Sequence, residues 1–129
     1  MSRLKNLFKK DRNKLIVFIT AGFPKKESTE DLVLQAIEGG ADMIEIGIPF
    51  SDPQADGPII QKASEIALSN GISLSIIFDQ VRSIRKKTDI PIALMGYYNP
   101  ILAYGIDKFL IDCKTSQVDG IILPDLPLD

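Results

Sequence analysis

Residues 42–58 read DMIEIGIPFSDPQADGP, and this stretch points to the fold of the whole chain. Its first part is an apolar run typical of a buried strand, yet the run contains the carboxylate of Glu45. A second carboxylate, Asp56, follows in a loop bounded by glycine and proline. An acid on a buried strand and another on the loop after it suit acid–base chemistry at the carboxyl end of that strand.

Strand-like and helix-like segments alternate along the chain. Apolar runs rich in β-branched residues predict strands, and apolar positions at helical spacing predict the helices between them. In order, we expect an N-terminal helix, a strand at 15–21, a helix at 27–38, a strand at 43–48, a helix from Pro58 to Asn70, a helix capped by Ser73, a strand at 90–94, a helix at 107–114 and a strand at 118–123. Repeated βα units predict parallel strands joined by right-handed crossovers.

Two α/β architectures fit this pattern, an open doubly wound sheet and part of a (β/α)8 barrel. A dinucleotide-binding sheet needs a glycine-rich turn after its first strand, and the turn at 20–24 reads TAGFP instead. Alternation along the second strand puts Ile44, Ile46 and Ile48 on one side and Glu45 on the other. We therefore expect the isoleucines to pack beneath helices and Glu45 to point into a barrel, near the end where barrel active sites lie.

The same alternation predicts the neighbours of Glu45. Phe18 and Thr20 on the first strand, with Met95 and Tyr97 at the end of the third, should point the same way. An acid beside aromatic and apolar side chains predicts a pocket for a flat apolar ligand that carries one reactive polar atom.

Composition argues against several classes of protein. The chain has 129 residues, of which 45% are hydrophobic, enough for one ordinary domain. A net charge of −2 with interspersed signs argues against nucleic-acid and anionic-membrane partners, and no apolar run has transmembrane length. The single cysteine, Cys113, is expected in the core and fits a cytoplasmic location. Without histidine the commonest metal ligand is missing, and we expect no metal site.

Four motifs together carry a resemblance to a known family. They are FITAGFP at 18–24, EIGIPFSDPQADGP at 45–58, LMGYYNP at 94–100 and DGIILPDLP at 119–127. In this order they closely resemble the α subunit of tryptophan synthase. The resemblance implies an α/β fold, a (β/α)8 TIM barrel, of which this chain covers the N-terminal helix and roughly the first four βα units. Residues 1–129 would then be the N-terminal half of a single TIM-barrel domain.

The resemblance also implies a lyase of tryptophan biosynthesis that cleaves indole-3-glycerol phosphate to indole and glyceraldehyde 3-phosphate. Glu45 matches the catalytic proton donor of the family. Asp56 matches the carboxylate that accepts a hydrogen bond from the ring N–H and stabilises the positive charge that develops there. The matching substrate-binding positions are Phe18, Thr20, Met95, Tyr97 and Ile122. We assign no contact to Pro124, which departs from the small residue that some members have there.

A partner protein is implied as well. The family's β subunit uses pyridoxal phosphate and receives the indole in an α2β2 heterotetramer, so we expect no cofactor in this chain itself. Residues 49–57 match the loop that docks against the β subunit, and Asp52, Pro53 and Asn99 are the expected interface residues. A cytoplasmic location follows from the same resemblance.

Plainer explanations exist for some of these residues. Asp-Pro and Asp-Gly are ordinary turn sequences, so Asp52 and Asp56 by themselves could serve loop geometry or helix capping. Asp125 is expected to order the end of the fourth strand. Glu45 resists such an explanation, because a carboxylate within an apolar strand is rarely buried without a role.

Two other functions stay open. One is a related phosphate-binding barrel enzyme, such as indoleglycerol-phosphate synthase or a ribulose-phosphate epimerase, which would need lysine or metal-binding histidine on its strands. The other is a non-catalytic subunit that only activates a β partner. Because the chain ends at Asp129, after the fourth of eight strands, we expect a fragment without the phosphate-binding loops. On its own it should have negligible lyase activity.

Overall fold

Four apolar runs form the strands of one parallel sheet, and helices connect them. The computed structural model describes residues 2–53 and 55–127. The strands are β1 (Ile16–Thr20), β2 (Met43–Gly47), β3 (Ile92–Met95) and β4 (Gly120–Ile122), in the order β1-β2-β3-β4 across the sheet. The helices are α1 (Arg3–Leu7), α2 (Ser28–Glu38), α3 (Pro58–Ser69), α4 (Leu74–Arg85), α5 (Tyr98–Tyr104) and α6 (Ile106–Ser116).

The predicted elements are present, and the structure adds α5. This short helix begins at Tyr98 and includes Asn99 and Pro100, for which the sequence pattern predicted no helix or strand. Its first amide is capped from a distant part of the chain, since the Tyr98 N–H donates to the Asp125 carboxylate at 3.0 Å. A cap of this kind has no local sequence signal. The prediction that Asp125 orders the end of the fourth strand stays a prediction, because the contact shown by the structure joins its carboxylate to the start of α5.

The register divides the sheet into two faces. In-register partners form one row of Phe18, Glu45, Ala93 and Gly120, and a second row, nearer the carboxyl ends, of Thr20, Gly47, Met95 and Ile122. Partners in register point to the same side of a parallel sheet, so both rows share one face. This face lies opposite the isoleucine side of β2.

The isoleucine face packs under the helices, as predicted. Ile44 and Ile46 are fully buried, and Ile48 is nearly so. They belong to the same hydrophobic core as Val33 of α2 and Phe78 of α4, together with the following residues of the strands and helices: Ile19, Ala67, Ile77, Val81, Ile84, Ile92, Leu94, Phe109 and Cys113. The prediction that Cys113 is a core residue is therefore confirmed.

A buried ion pair lies at the end of the sheet where β3 and β4 begin. The Arg85 guanidinium lies 2.6 Å from the Asp119 carboxylate, and the two side chains are 4% and 7% exposed. Asp119 also accepts the N–H of Ile92 at 2.9 Å, and Arg85 donates to the carbonyl of Gln117 at 3.0 Å. Burial, followed by repulsion from Arg3, lowers the pKa of Arg85. The pair joins the C-terminus of α4 to the amino ends of β3 and β4.

The sheet is open at both sides in the described part of the chain, where β1 and β4 each pair with one neighbour only. Large apolar side chains lie exposed at these two strands, namely Ile16 on β1 with Ile121 and Ile122 on β4. No helix among the described residues is long and apolar enough to cross a membrane.

Replacing Asp119 with asparagine should lower the free energy of unfolding by about 3 kcal/mol or more, because Arg85 would stay buried without its counter-charge. Urea unfolding of the protein measures this change. Asp79→Asn is the matched control, because Asp79 pairs with Arg82 at 3.0 Å on the helix surface and is 73% exposed. That change should cost less than about 1 kcal/mol. Equal losses in the two variants would contradict a special role for the buried pair.

Candidate active site at the carboxyl ends of the strands

A small cavity lies where β1, β2 and β3 end. Its volume is about 10 Å³, room for about one water molecule. The lining residues are Phe18, Thr20, Gly47, Ile48, Asp56, Ile60, Ser64, Met95, Gly96, Tyr97 and Pro124. The structure thus brings together five of the residues that the sequence analysis placed at the site, Phe18, Thr20, Asp56, Met95 and Tyr97.

Glu45 lies one row deeper than the cavity, on the same face of the sheet. It shares its row with Phe18, while its partner on β3 is Ala93 and the next strand contributes Gly120. The small side chains leave the carboxylate space on that side. Glu45 is half-buried, and its carboxylate makes no hydrogen bond or ion pair with the described residues. An acid in this position is available to exchange a proton with a ligand above it.

Gly47 sits beneath the ring of Phe18. A Cβ atom at position 47 would lie 2.4 Å from Cζ of Phe18, well inside any real carbon–carbon contact. The absence of a side chain therefore lets the Phe18 ring lie across β2 and form the floor of the cavity. This close approach explains the glycine in the motif, since the backbone at this position is ordinary extended strand.

The turn after β1 holds Thr20 at the cavity wall. Gly22 has a φ of 81°, and a Cβ atom there would lie 2.7 Å from Ile72, so the turn needs glycine for two reasons. The Gly22 N–H donates to the hydroxyl of Thr29 at 3.0 Å, which ties the turn to the start of α2. Thr20 itself is buried.

The loop after β2 brings Asp56 to the cavity through contacts with Tyr97. The Ala55 N–H donates to the Tyr97 hydroxyl oxygen at 2.9 Å, and the ring of Phe50 packs against the Tyr97 ring with centroids 5.6 Å apart. Asp56 and Tyr97 both line the cavity. Burial, followed by the negative charge of Asp56, raises the pKa of Tyr97 against the opposite effect of the Ala55 N–H.

The remaining predicted residues lie away from the cavity. Ile122 is in register with Met95 on the same face but sits at the open edge, 36% exposed, and does not line the cavity. Asp52 is exposed, accepts the Ser51 hydroxyl at 3.3 Å and does not line the cavity. Asn99 is exposed near the start of α5, and Pro53 is half-buried. Within the predicted docking loop at 49–57, Gln54 lies outside the described residues.

A larger groove of about 820 Å³ lies at the opposite end of the sheet, beside α1. Four of its five charged side chains are engaged in ion pairs, Lys10 being the fifth. Arg3 contacts Asp119 and Asp89, both at 3.3 Å, and Arg12 lies 2.6 Å from Asp42. Arg12, followed by the Leu15 N–H, lowers the pKa of Asp42 to about 2. Because these pairs satisfy one another, the smaller cavity is the candidate site.

Comparison with known proteins settles the family. The model of the family described as "Tryptophan synthase alpha chain" matches residues 4–129. The chain belongs to this family. The tryptophan synthase alpha chain of Caldanaerobacter subterraneus subsp. tengcongensis is 54% identical over 127 residues, which are 98% of this chain and 48% of that protein. The chain spans about half the length of the curated relatives it matches.

Solved structures of the tryptophan synthase alpha family share the fold. A crystal structure of tryptophan synthase subunit alpha from Legionella pneumophila str. Paris is 44% identical, with a TM-score of 0.92 over 98% of this chain and 50% of that chain. A tryptophan synthase complex from Pyrococcus furiosus gives 48% identity and a TM-score of 0.82, covering 88% and 47%. These neighbours are TIM barrels, so the prediction that this chain covers about four βα units of a barrel is confirmed, and the open doubly wound sheet is excluded.

Sequence reasoning did not assign six of the residues that line the site in this member of the tryptophan synthase alpha family, namely Gly47, Ile48, Ile60, Ser64, Gly96 and Pro124. Ile60 and Ser64 come from the first turns of α3, and Pro124 follows β4. Ile60 and Ser64 are four positions apart and so lie on one helix face. That spacing, directly after the Asp56 loop, was the available signal. For Pro124, to which we assigned no contact, the structure shows that it closes one wall of the cavity.

No cluster of three or more His, Cys, Asp or Glu side chains that could hold a metal ion occurs within residues 2–53 and 55–127. The polar groups that the cavity offers to a ligand are the Asp56 carboxylate and the hydroxyls of Thr20, Ser64 and Tyr97. Apolar side chains and glycines make up the remainder. This lining suits a flat ring system with one polar ring atom.

Substituting alanine for Gly47 should displace the Phe18 ring and lower the free energy of unfolding by about 1–3 kcal/mol, because the new methyl group overpacks a filled space. Urea unfolding measures the loss. Gly57→Ala is the control, since a Cβ atom there meets nothing within 4 Å, and it should change stability by less than about 0.5 kcal/mol. Adding Phe18→Leu to Gly47→Ala should recover part of the loss. If it recovers none, the clash with Phe18 is not the cause.

Proposed function

We propose that this chain forms the first half of a tryptophan synthase alpha barrel, residues 1–129 being part of one domain. The protein that carries it then cleaves indole-3-glycerol phosphate to indole and glyceraldehyde 3-phosphate. The observation that carries this proposal is the placement of two carboxylates on one side of the sheet. Asp56 lines a space together with Phe18, Met95 and Tyr97, and Glu45 lies one row deeper on the same face. Membership of the family supplies the substrate.

In this mechanism Glu45 moves the protons. A proton is delivered to the ring carbon that bears the side chain, and the side-chain hydroxyl next to the ring loses its own proton. The bond between ring and side chain then breaks, so that the electron pair returns to the ring as indole and the hydroxyl carbon becomes an aldehyde. The carboxylate is half-buried and has no hydrogen bond or ion pair with the described residues, so in this part of the chain no such contact has to be broken before either transfer.

Asp56 acts on charge rather than on protons. Protonation of the ring carbon leaves positive charge on the ring nitrogen, and a carboxylate that accepts the ring N–H stabilises this charge as it forms. Asp56 lies at the cavity wall among apolar groups. Its position on the loop, rather than on a strand, means that the loop conformation sets its distance from the ring.

The open sides of the sheet support the half-barrel proposal. Exposed isoleucines at β1 and β4 are what a sheet leaves when further strands are to cover it, since unpaired strand edges favour pairing. The next four βα units would close the barrel and supply the phosphate-binding loops, which in such barrels follow the seventh and eighth strands. We include a cytoplasmic location in the proposal.

We also propose a β subunit as partner, in an α2β2 heterotetramer. The solved relative from Pyrococcus furiosus is named a tryptophan synthase complex. Asp52 and Asn99 are exposed, so a partner can reach them, and neither they nor Pro53 line the cavity. Pyridoxal phosphate would belong to that partner. One loop would then face the ligand with Asp56 and the neighbouring subunit with Asp52.

Glu45→Gln in the full-length protein should lower kcat for indole release from indole-3-glycerol phosphate by at least 100-fold, because the side chain can no longer carry a proton. Glu65→Gln is the matched control, since Glu65 is an exposed carboxylate on α3 that lies 3.7 Å from Lys62. It should leave kcat unchanged. Undiminished indole release by the Glu45 variant would contradict a catalytic role for Glu45.

The same variant distinguishes a catalytic subunit from a subunit that only activates a β partner. Assays with and without β subunit should show that Glu45→Gln abolishes cleavage and still stimulates the β reaction, because the proposed docking residues Asp52, Pro53 and Asn99 lie outside β2. A wild-type protein that stimulates the β reaction but never cleaves indole-3-glycerol phosphate would favour the activating role alone.

A further inference from the structure

Two buried hydroxyl groups line the cavity from different elements of the fold. Thr20 is the last residue of β1, and Ser64 lies in the second turn of α3. Both line the same space at the carboxyl ends of the strands. The two residues are 7% and 5% exposed. The roles proposed above for Glu45 and Asp56 use neither hydroxyl.

Neither hydroxyl has a hydrogen-bond partner among the described residues. Taking a hydroxyl out of water without replacing its hydrogen bonds is unfavourable, so the large majority of buried polar groups in proteins are paired. A helical serine often donates to the carbonyl four residues earlier, and Ser116 does so with Asp112 at 2.5 Å. Ser64 makes no such bond with Ile60. The hydroxyls of Thr20 and Ser64 therefore remain available to a group inside the cavity.

The two hydroxyl oxygens also keep contact with accessible space. Neither is among the fully enclosed side-chain oxygens that lack a hydrogen bond in residues 2–53 and 55–127. Each oxygen therefore retains some accessible area, although its residue is buried. Because Thr20 and Ser64 line one cavity, we infer that this area faces the cavity.

The space beside the two hydroxyls fits one oxygen atom. Its volume of about 10 Å³ is that of a single water molecule. A hydroxyl has one proton to donate and lone pairs to accept with, so another hydroxyl-type oxygen can hydrogen bond with both Thr20 and Ser64. A methyl group or an aromatic C–H can satisfy neither. An anion is disfavoured, because the carboxylate of Asp56 lines the same space.

We propose that Thr20 and Ser64 form a subsite for one neutral hydroxyl oxygen at the wall between β1 and α3. The oxygen belongs either to a water molecule or to a hydroxyl substituent of a bound ring. The cavity is too small for a ring, so a ring on the inner face of the sheet would reach the subsite only with a substituent. The inference rests on the proposed function for the ring and goes beyond it, because it assigns a role to Ser64 and a preference among rings.

Binding of ring ligands to the full-length protein tests a ring hydroxyl as the source of the oxygen. Isothermal titration calorimetry would compare indole with the hydroxyindole isomers that carry the hydroxyl on the six-membered ring. At least one isomer should bind about 10-fold more tightly than indole, the gain expected from one well-made hydrogen bond. Ser64→Ala should reduce this advantage to less than about 2-fold, and it should change the affinity for indole by less than about 2-fold.

Unfolding equilibria of the same protein in urea test a water molecule as the source. Thr20→Val and Ser64→Ala should each raise the equilibrium constant for unfolding by about 5-fold, because each leaves the water with one hydrogen bond fewer. The double variant should show less than the product of the two changes, because both hydroxyls share one oxygen. Hydroxyls that lack any partner would give the opposite sign, since their removal would stabilise the fold.

Two further variants serve as controls. Thr20→Ser keeps the hydroxyl, so it should retain both the preference for the hydroxylated ring and the coupling to Ser64. Ser116→Ala removes a buried hydroxyl that already has a partner, the carbonyl of Asp112, and that does not line the cavity. Its effect on unfolding should combine with that of Thr20→Val without coupling, and the ligand preference should stay as in the wild type.

The two measurements together decide the proposal. A hydroxyindole whose advantage disappears in Ser64→Ala identifies a ring hydroxyl as the oxygen. Coupled unfolding effects without such an isomer identify a water molecule. If no hydroxyindole advantage depends on Ser64 and the unfolding effects show no coupling, the subsite is overturned. If the wild-type protein does not cleave indole-3-glycerol phosphate, the proposed function fails, and the unfolding equilibria still test the subsite.

Discussion

The pleat of β2 is the constraint on which the rest of the structure depends. Its isoleucines are buried beneath the helices, so the alternate positions, including Glu45, must face the other side of the sheet. A shift by one residue would expose the isoleucines and bury the carboxylate against Val33 and Phe78, at a cost that the core could not offset. The same burial that stabilises the fold therefore fixes the direction of the acid, and no separate interaction is needed to aim it.

The loop after β2 adds what the strand cannot provide. A strand places its side chains at fixed steps, whereas a loop can carry a side chain over the ends of several strands. Asp56 lines the cavity from this loop, and the neighbouring Ala55 N–H ties the loop to the Tyr97 hydroxyl at 2.9 Å. Glu45 and Asp56 are therefore held by different means, the first by the pleat of β2 and the second by the contacts of the loop.

Much of this could be predicted from the sequence, because periodicity and burial are local signals. Strand positions, the parallel arrangement and the inward side of β2 followed from alternation alone, and the motif at 45–58 led to the family. Other features depend on partners far along the chain. The α5 helix needs Asp125, the Arg85–Asp119 pair joins two elements, and the Tyr97 hydroxyl meets a loop from the preceding βα unit. Such contacts form only once the chain is folded, so the spacing of residues in the sequence does not predict them.

The Arg85–Asp119 pair lies at the amino ends of the strands, whereas the cavity lies at their carboxyl ends. Stability and chemistry are thereby assigned to opposite ends of the same sheet. Substitutions in the loops around Asp56 leave that ion pair and the packed isoleucines untouched. Changes of sequence in this loop are therefore expected to alter the lining of the cavity, whereas changes at Asp119 are expected to alter the stability of the sheet.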